Sequence, residues 1–174
     1  FLKTFGVVVH DQMLVDPTSQ VANVEPQVLL GFSGSREHII TRDFPQSAMA
    51  ANFLFPLTTH MESTPVDGIQ ATPLVRTSQN AWDESDWASL KSGVVRYDAG
   101  KDRLGQMSLA MAVEEKKETA EGEAPSKRSL RLAIFGTSSF AANGLLDKVG
   151  NRDLFLNTIA WLADDEQFIS IRPV

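Results

Sequence analysis

Short apolar runs recur along this chain, each bounded by Gly, Pro, Ser or Asn, and a single long amphipathic stretch stands near its end. Runs of this length are strand-sized, so the chain must build most of its core from strands. Val7-Val8-Val9 opens a β-branched strand reaching to about Asp16-Pro17, and Thr18–Glu25 is polar and irregular. Val28–Phe32, Asn52–Thr59 (with Pro56 hinting at an edge or bulge) and Ile69–Thr77 read as further strands. Gln106–Glu115 is the clearest, with Ser108, Ala110 and Ala112 alternating with Leu109, Met111 and Val113. Leu130–Phe135 is a continuous apolar run of the kind found in parallel sheets, and Phe168–Ile171 a last short strand. Between them lie helical segments: a turn over Phe1–Phe5 closed by Gly6, Pro45–Ala51, and Ala81–Leu90 as a short helix or loop. Asn151–Ala163 is the best helix, with Leu154, Phe155, Thr158, Trp161 and Leu162 on one stripe. This alternation predicts one α/β domain over residues 1–174 with a largely parallel central sheet, carrying a mobile loop at 116–129.

Composition removes several classes of function. The 174 residues are 43% hydrophobic, enough for a real core, and no run approaches the roughly 20 apolar residues of a bilayer crossing. A net charge of −6 argues against nucleic-acid binding through phosphates. Without cysteine there is no disulfide scaffold, thiolate nucleophile or cysteine-ligated metal. The chain opens at Phe1 within an apolar pattern, which reads as a piece excised from a longer protein.

The candidate chemistry is sparse. Gly136-Thr137-Ser138-Ser139-Phe140 follows a strand, where a nucleophile elbow would expose a serine, but Phe140 replaces the second glycine of that pattern. A Ser/Thr-rich turn bonding its own backbone is the favoured reading. His10, His38 and His60 are not spaced to share a helical face, so separate structural histidines are expected and no metal site is assigned. Asp83, Glu84 and Asp86 around Trp82 and Trp87 could bind a sugar or a cation, but a solvated turn anchored onto the core by two rings is the favoured reading. Neither a phosphate-binding glycine motif nor any other cofactor signature occurs. In the tail, Asn143 is expected to close a turn, Asn151 and Asp153 to stand where a helix N-terminus accepts a cap and a favourable negative charge, and Asn157 to bond a neighbouring loop.

The tail also carries a resemblance. Arg131-Leu132-Ala133-Ile134-Phe135-Gly136-Thr137-Ser138-Ser139-Phe140-Ala141-Ala142-Asn143, then Asn151-Arg152-Asp153-Leu154-Phe155-Leu156-Asn157-Thr158-Ile159-Ala160-Trp161-Leu162-Ala163, and finally Gln167–Pro173, resemble auxiliary components of gliding-motility-type ABC transporters. Phe5-Gly6-Val7, Val15-Asp16-Pro17 and His38-Ile39-Ile40-Thr41 are similar to the front of that family. The resemblance implies a three-layer α/β sandwich, amidotransferase-like or flavodoxin-like, often lacking the catalytic residues of enzymes with that shape. It further implies a bacterial domain on the periplasmic side of the inner membrane, anchored by segments outside this fragment and partnered by ABC permease and ATPase subunits. Thr137 and Ser139 stand where the family pattern has acids, which favours a structural turn.

The function expected on these grounds is a non-enzymatic accessory domain mediating protein interaction or ligand sensing, without cofactor or metal. Its binding surface would comprise Gly34, Ser35, Thr137, Ser138, Ser139 and Asn143, in the loops Gly31–Ser35 and Gly136–Asn143. One alternative is a serine hydrolase with Ser138 as nucleophile and His10, His38 or His60 as base; another is a carbohydrate-binding module using Trp82 and Trp87.

Overall fold

A computed structural model describes residues 1–21, 28–45, 53–92, 95–116, 130–165 and 169. Its strands are β1 (Val7–Val9), β2 (Met13–Val15), β3 (Val28–Ser33), β4 (Phe53–Pro56), β5 (Met61–Ser63), β6 (Ile69–Arg76), β7 (Trp82–Glu84), β8 (Ser108–Glu115) and β9 (Arg131–Phe135). The helices are α1 (Pro17–Val21), α2 (Trp87–Ser92) and α3 (Asn151–Leu162), with single 3₁₀ turns at Leu2–Phe5 and Ser139–Ala141. Seven strands form one sheet in the order β1-β5-β8-β6-β3-β4, with β9 also on β8, and β2 pairs separately with β7.

Every pairing among the described strands is antiparallel, which overturns the expected parallel three-layer sandwich. The physical reason lies in β8 and β9. Leu132 and Ile134 pack on a small cluster of Val7, Met61, Met111 and Val113, while Ala133 and Phe135 pack on the main core. A continuous apolar run therefore reports packing contacts on both faces of the sheet, here with half-buried side chains, and says nothing about strand direction. Parallel neighbours also need long crossovers, whereas two of the three helices here have only five and six residues.

Other boundaries shift for local reasons. The single strand expected over Val7–Asp16 is split into β1 and β2, and α1 occupies part of the stretch read as irregular. Asp16 Oδ1 accepts the Thr18 N–H at 2.9 Å, which starts α1. Trp82–Glu84 is extended, with only Trp87–Ser92 helical. Pro73 sits inside β6, where its missing N–H coincides with a register shift in the β6–β8 ladder. The helical reading of Pro45–Ala51, the loop at 116–129 and the strand Phe168–Ile171 fall almost wholly outside the described residues.

The main core joins Leu29, Phe53, Phe55, Leu74, Leu109, Phe140, Leu154 and Trp161. Phe140 stacks between Phe55 (5.2 Å) and Phe135 (4.5 Å), locking the turn after β9 to β4. Helix α3 is tied down at both ends. Asn151 is fully buried and reaches past its own helix: its Oδ1 accepts the Leu54 N–H at 2.9 Å. Its Nδ2 donates to the carbonyls of Leu54, Phe140 and Leu145 at 3.0–3.2 Å. The expected cap role is thus corrected, since Gly150 is the N-cap and makes no side-chain bond. At the other end Arg131 donates to the Trp161 carbonyl, pairs with Asp164 at 2.8 Å and lies over the Trp161 ring. Mid-helix, Asn157 donates to the Ile40 carbonyl at 3.1 Å, the loop bond expected of it.

Candidate functional site

The six residues expected to form a binding surface divide between scaffold and surface. Gly34 donates its N–H to the Leu74 carbonyl at 2.8 Å, and a Cβ there would meet the Pro73 backbone. Ser35 Oγ accepts the N–H groups of Glu37 and His38 at 3.1 and 3.3 Å, opening the turn that follows β3. Gly31 lies within β3 rather than in a loop. Thr137 Oγ1 accepts the Ser139 N–H at 3.2 Å, as the turn reading requires. Ser138 and Asn143 are exposed.

Thr137 and Ser138 share an open groove of about 390 Å³ with Phe135, Phe155, Ile159 and Leu162, between β9 and α3. Gly34, Ser35 and Asn143 do not line it. The exposed end of α3 contributes Ile159 and Leu162, 48% and 41% accessible, so Leu162 leaves the buried stripe on which its spacing placed it. No histidine, lysine or carboxylate lines this groove among the described residues, so Ser138 has no base beside it.

His38 is buried elsewhere, edge-on to Trp161 at 5.1 Å, with its Nδ1 accepting the Ile40 N–H at 3.3 Å. That bond places the ring proton on Nε2. Burial, helped by the Arg131 charge, lowers its pKa to about 4.

The other two histidines meet. β1 and β5 are antiparallel with Val9 opposite Met61, and the His10 N–H continues the ladder to the His60 carbonyl at 3.0 Å. Opposite residues share a face, and so do residues two apart in a strand, so His10, His60 and Glu62 emerge together. The imidazoles stack with centroids 4.2 Å apart and planes within 5°. His10 Nε2 lies 3.5 Å from Glu62 Oε2, while Arg103 holds the other Glu62 oxygen. Asp83 Oδ2 lies 3.3 Å from His60 Nε2, and the opposite Asp83 oxygen accepts the Arg103 N–H at 2.5 Å.

His60 is wholly inaccessible, yet neither ring nitrogen has a partner in hydrogen-bonding geometry. Leaving such a group unsatisfied costs about 1–3 kcal/mol. Burial lowers the His60 pKa to about 4, reinforced by His10 and Arg103 and opposed by Asp83. Near neutral pH it is therefore an uncharged imidazole with a free lone pair. The segment carrying it is braced: the Thr59 hydroxyl donates to the His10 carbonyl, and the Leu14 N–H donates to Thr58 at 3.2 Å. Behind it, the Thr59 N–H meets the Gly136 carbonyl at 3.3 Å. The backbones approach so closely that a Cβ on Gly136 would collide with the Thr59 carbonyl.

Helical intervals do not reveal this pair, because it forms across two strands. The informative signal was His60-x-Glu62, the two-residue period of a strand.

The tryptophans do not form a joint platform. Trp82 is buried with its Nε1 donating to Glu84 at 3.3 Å, and Trp87 is half exposed. The acids nearby are occupied in holding turns: Asp86 accepts from Ala88 and Ser89, and Asp102 from Ser85 and Asp98.

No protein-family model matches this chain, and no curated protein matches it either.

Proposed function

We propose that this chain is a non-enzymatic accessory domain of an ABC-type transport system, acting by contact with a protein partner outside the cytoplasmic membrane. The observation that carries the reading is the open apolar groove between β9 and α3. It is built from the same tail that resembles the transporter auxiliary family, and it offers a contact surface without acid, base or nucleophile-activating group. Ile159 and Leu162 are the exposed apolar side chains at its rim. Such a patch on an otherwise well-charged surface is what a partner covers. The partners would be the ABC permease and, through it, the ATPase. No described helix is long and apolar enough to cross a membrane.

The test is crosslinking in native membranes of the parent protein, carrying either the wild-type tail or the pair Ile159→Asp and Leu162→Asp. Wild type should recover permease and ATPase subunits, and the double variant should lose them while this domain keeps its melting temperature. Recovery of the wild-type protein without any transporter subunit would sink the proposal.

A further inference from the structure

The paired histidines lie apart from the groove, and the proposed contact function makes no use of them. We infer that His10, His60 and Glu62 form a binding site for one divalent transition-metal ion of the zinc class. Three observations converge on it. The donor atoms of these three residues lie within 4.8 Å of one another, which a single ion can span once the His10 ring turns. His60 is completely buried; its Nδ1 has no hydrogen-bond partner and its Nε2 meets only the Asp83 carboxylate, at 3.3 Å and poorly aligned, a state that a bound cation would relieve. The local charge also suits a cation: Glu62 and Asp83 are both at the site, and Arg103 offsets only one of them.

The donor chemistry narrows the ion. Two imidazoles and one carboxylate suit Zn²⁺, Co²⁺ or Ni²⁺, whereas Mg²⁺ and Ca²⁺ prefer all-oxygen sites. Arg103 engages one Glu62 oxygen and leaves the other toward His10, so it orients the carboxylate as outer-shell partners do in metal sites. With three protein donors, a fourth position stays open to water or an external ligand.

The stack itself makes a specific demand. An imidazole lone pair lies in the ring plane, so two rings 4.2 Å apart and parallel within 5° cannot both point at one ion. Metal binding must unstack them. His60 is enclosed, whereas the His10 side chain is 27% accessible, so His10 is the ring that turns.

Metal-stripped protein titrated with Zn²⁺ by calorimetry, and with Co²⁺ by visible absorption, tests this directly. One ion per chain is expected, with the intense Co²⁺ bands of low coordination number and no competition from Mg²⁺. His10→Ala and Glu62→Gln, both at accessible positions, should each weaken binding by at least about tenfold without changing the far-ultraviolet circular dichroism. His10 ring resonances should shift on Zn²⁺ addition as the stack opens. His60→Gln tests the buried donor, but the two accessible variants decide the matter if it fails to fold. Absence of binding, or binding that both accessible variants leave intact, overturns the inference.

Discussion

Replacing Asn151 separates two explanations of the same residue. If Asn151 served as a helix cap, Asn151→Asp would be neutral or better, gaining about 0.3–1 kcal/mol from the helix dipole. The structure gives the opposite answer. The side-chain amide mates with both the N–H and the C=O of Leu54, as a neighbouring strand would, and donates to Phe140 and Leu145 besides. Truncation to Ala removes four hydrogen bonds and strands the Leu54 amide where the residue it faced was fully buried. At about 1 kcal/mol net per bond, the loss is about 3–4 kcal/mol. That is a large part of the roughly 5–15 kcal/mol stability of a typical domain, and about 10 °C in Tm. Asn151→Asp keeps the acceptor for Leu54 but turns a carboxylate toward three carbonyl oxygens. That repulsion outweighs the dipole gain, so at pH 7 it should cost at least as much as Ala. Urea unfolding followed by tryptophan fluorescence measures both, with the midpoint lowered at unchanged m-value. A loss below about 1 kcal/mol for Ala, or wild-type stability for Asp, would refute the argument.

Three further outcomes are expected. His38 has a folded pKa of about 4, below the ordinary 6.5, so the unfolded chain takes up its proton first as the pH drops. Its contribution is intact above 6.5 and lost progressively down to about 4, amounting to about 3 kcal/mol; because His60 titrates over the same window, His38→Gln should reduce the slope of that part of a stability-against-pH curve by about half, measured by urea midpoints. Asp16 is buried and accepts from Thr18 N–H, Ser78 N–H and Ser78 O–H at 2.8–3.0 Å; Asp16→Ala should cost about 2–4 kcal/mol by thermal melting, and a shift under a degree would contradict its bridging role. Gly136→Ala forces a Cβ into the Thr59 backbone; a loss of about 1–3 kcal/mol is expected, with displaced His60 ring resonances, and an unshifted spectrum would show the brace to be unimportant.

What could be read from the sequence was local. The existence of β8, the extent of α3, the left-handed Gly6 closing its turn and the loop bond of Asn157 all follow from backbone preferences or periods within one segment. Strand direction was not legible, because the Leu132-to-Phe135 run is half-buried and packs on both faces against two clusters that the sequence does not reveal. Asn151 was misread for a related reason: a cap is a local partner, while Leu54 is 97 residues away. The histidine pair depends on β1 meeting β5, and only the two-residue step from His60 to Glu62 was visible beforehand.

The place of β8 has a consequence for how the chain reaches its native state. Among the described strands, β1 and β5 connect to the rest of the sheet only through β8. On the ribosome, β6 and β5 emerge early and must wait, with edges open, for residues 108–115 to arrive between them. Until then the chain is two partial sheets that can recruit strands from other molecules. Joining the two partial sheets thus waits on one eight-residue segment, and substitutions that weaken β8 should slow folding and raise aggregation.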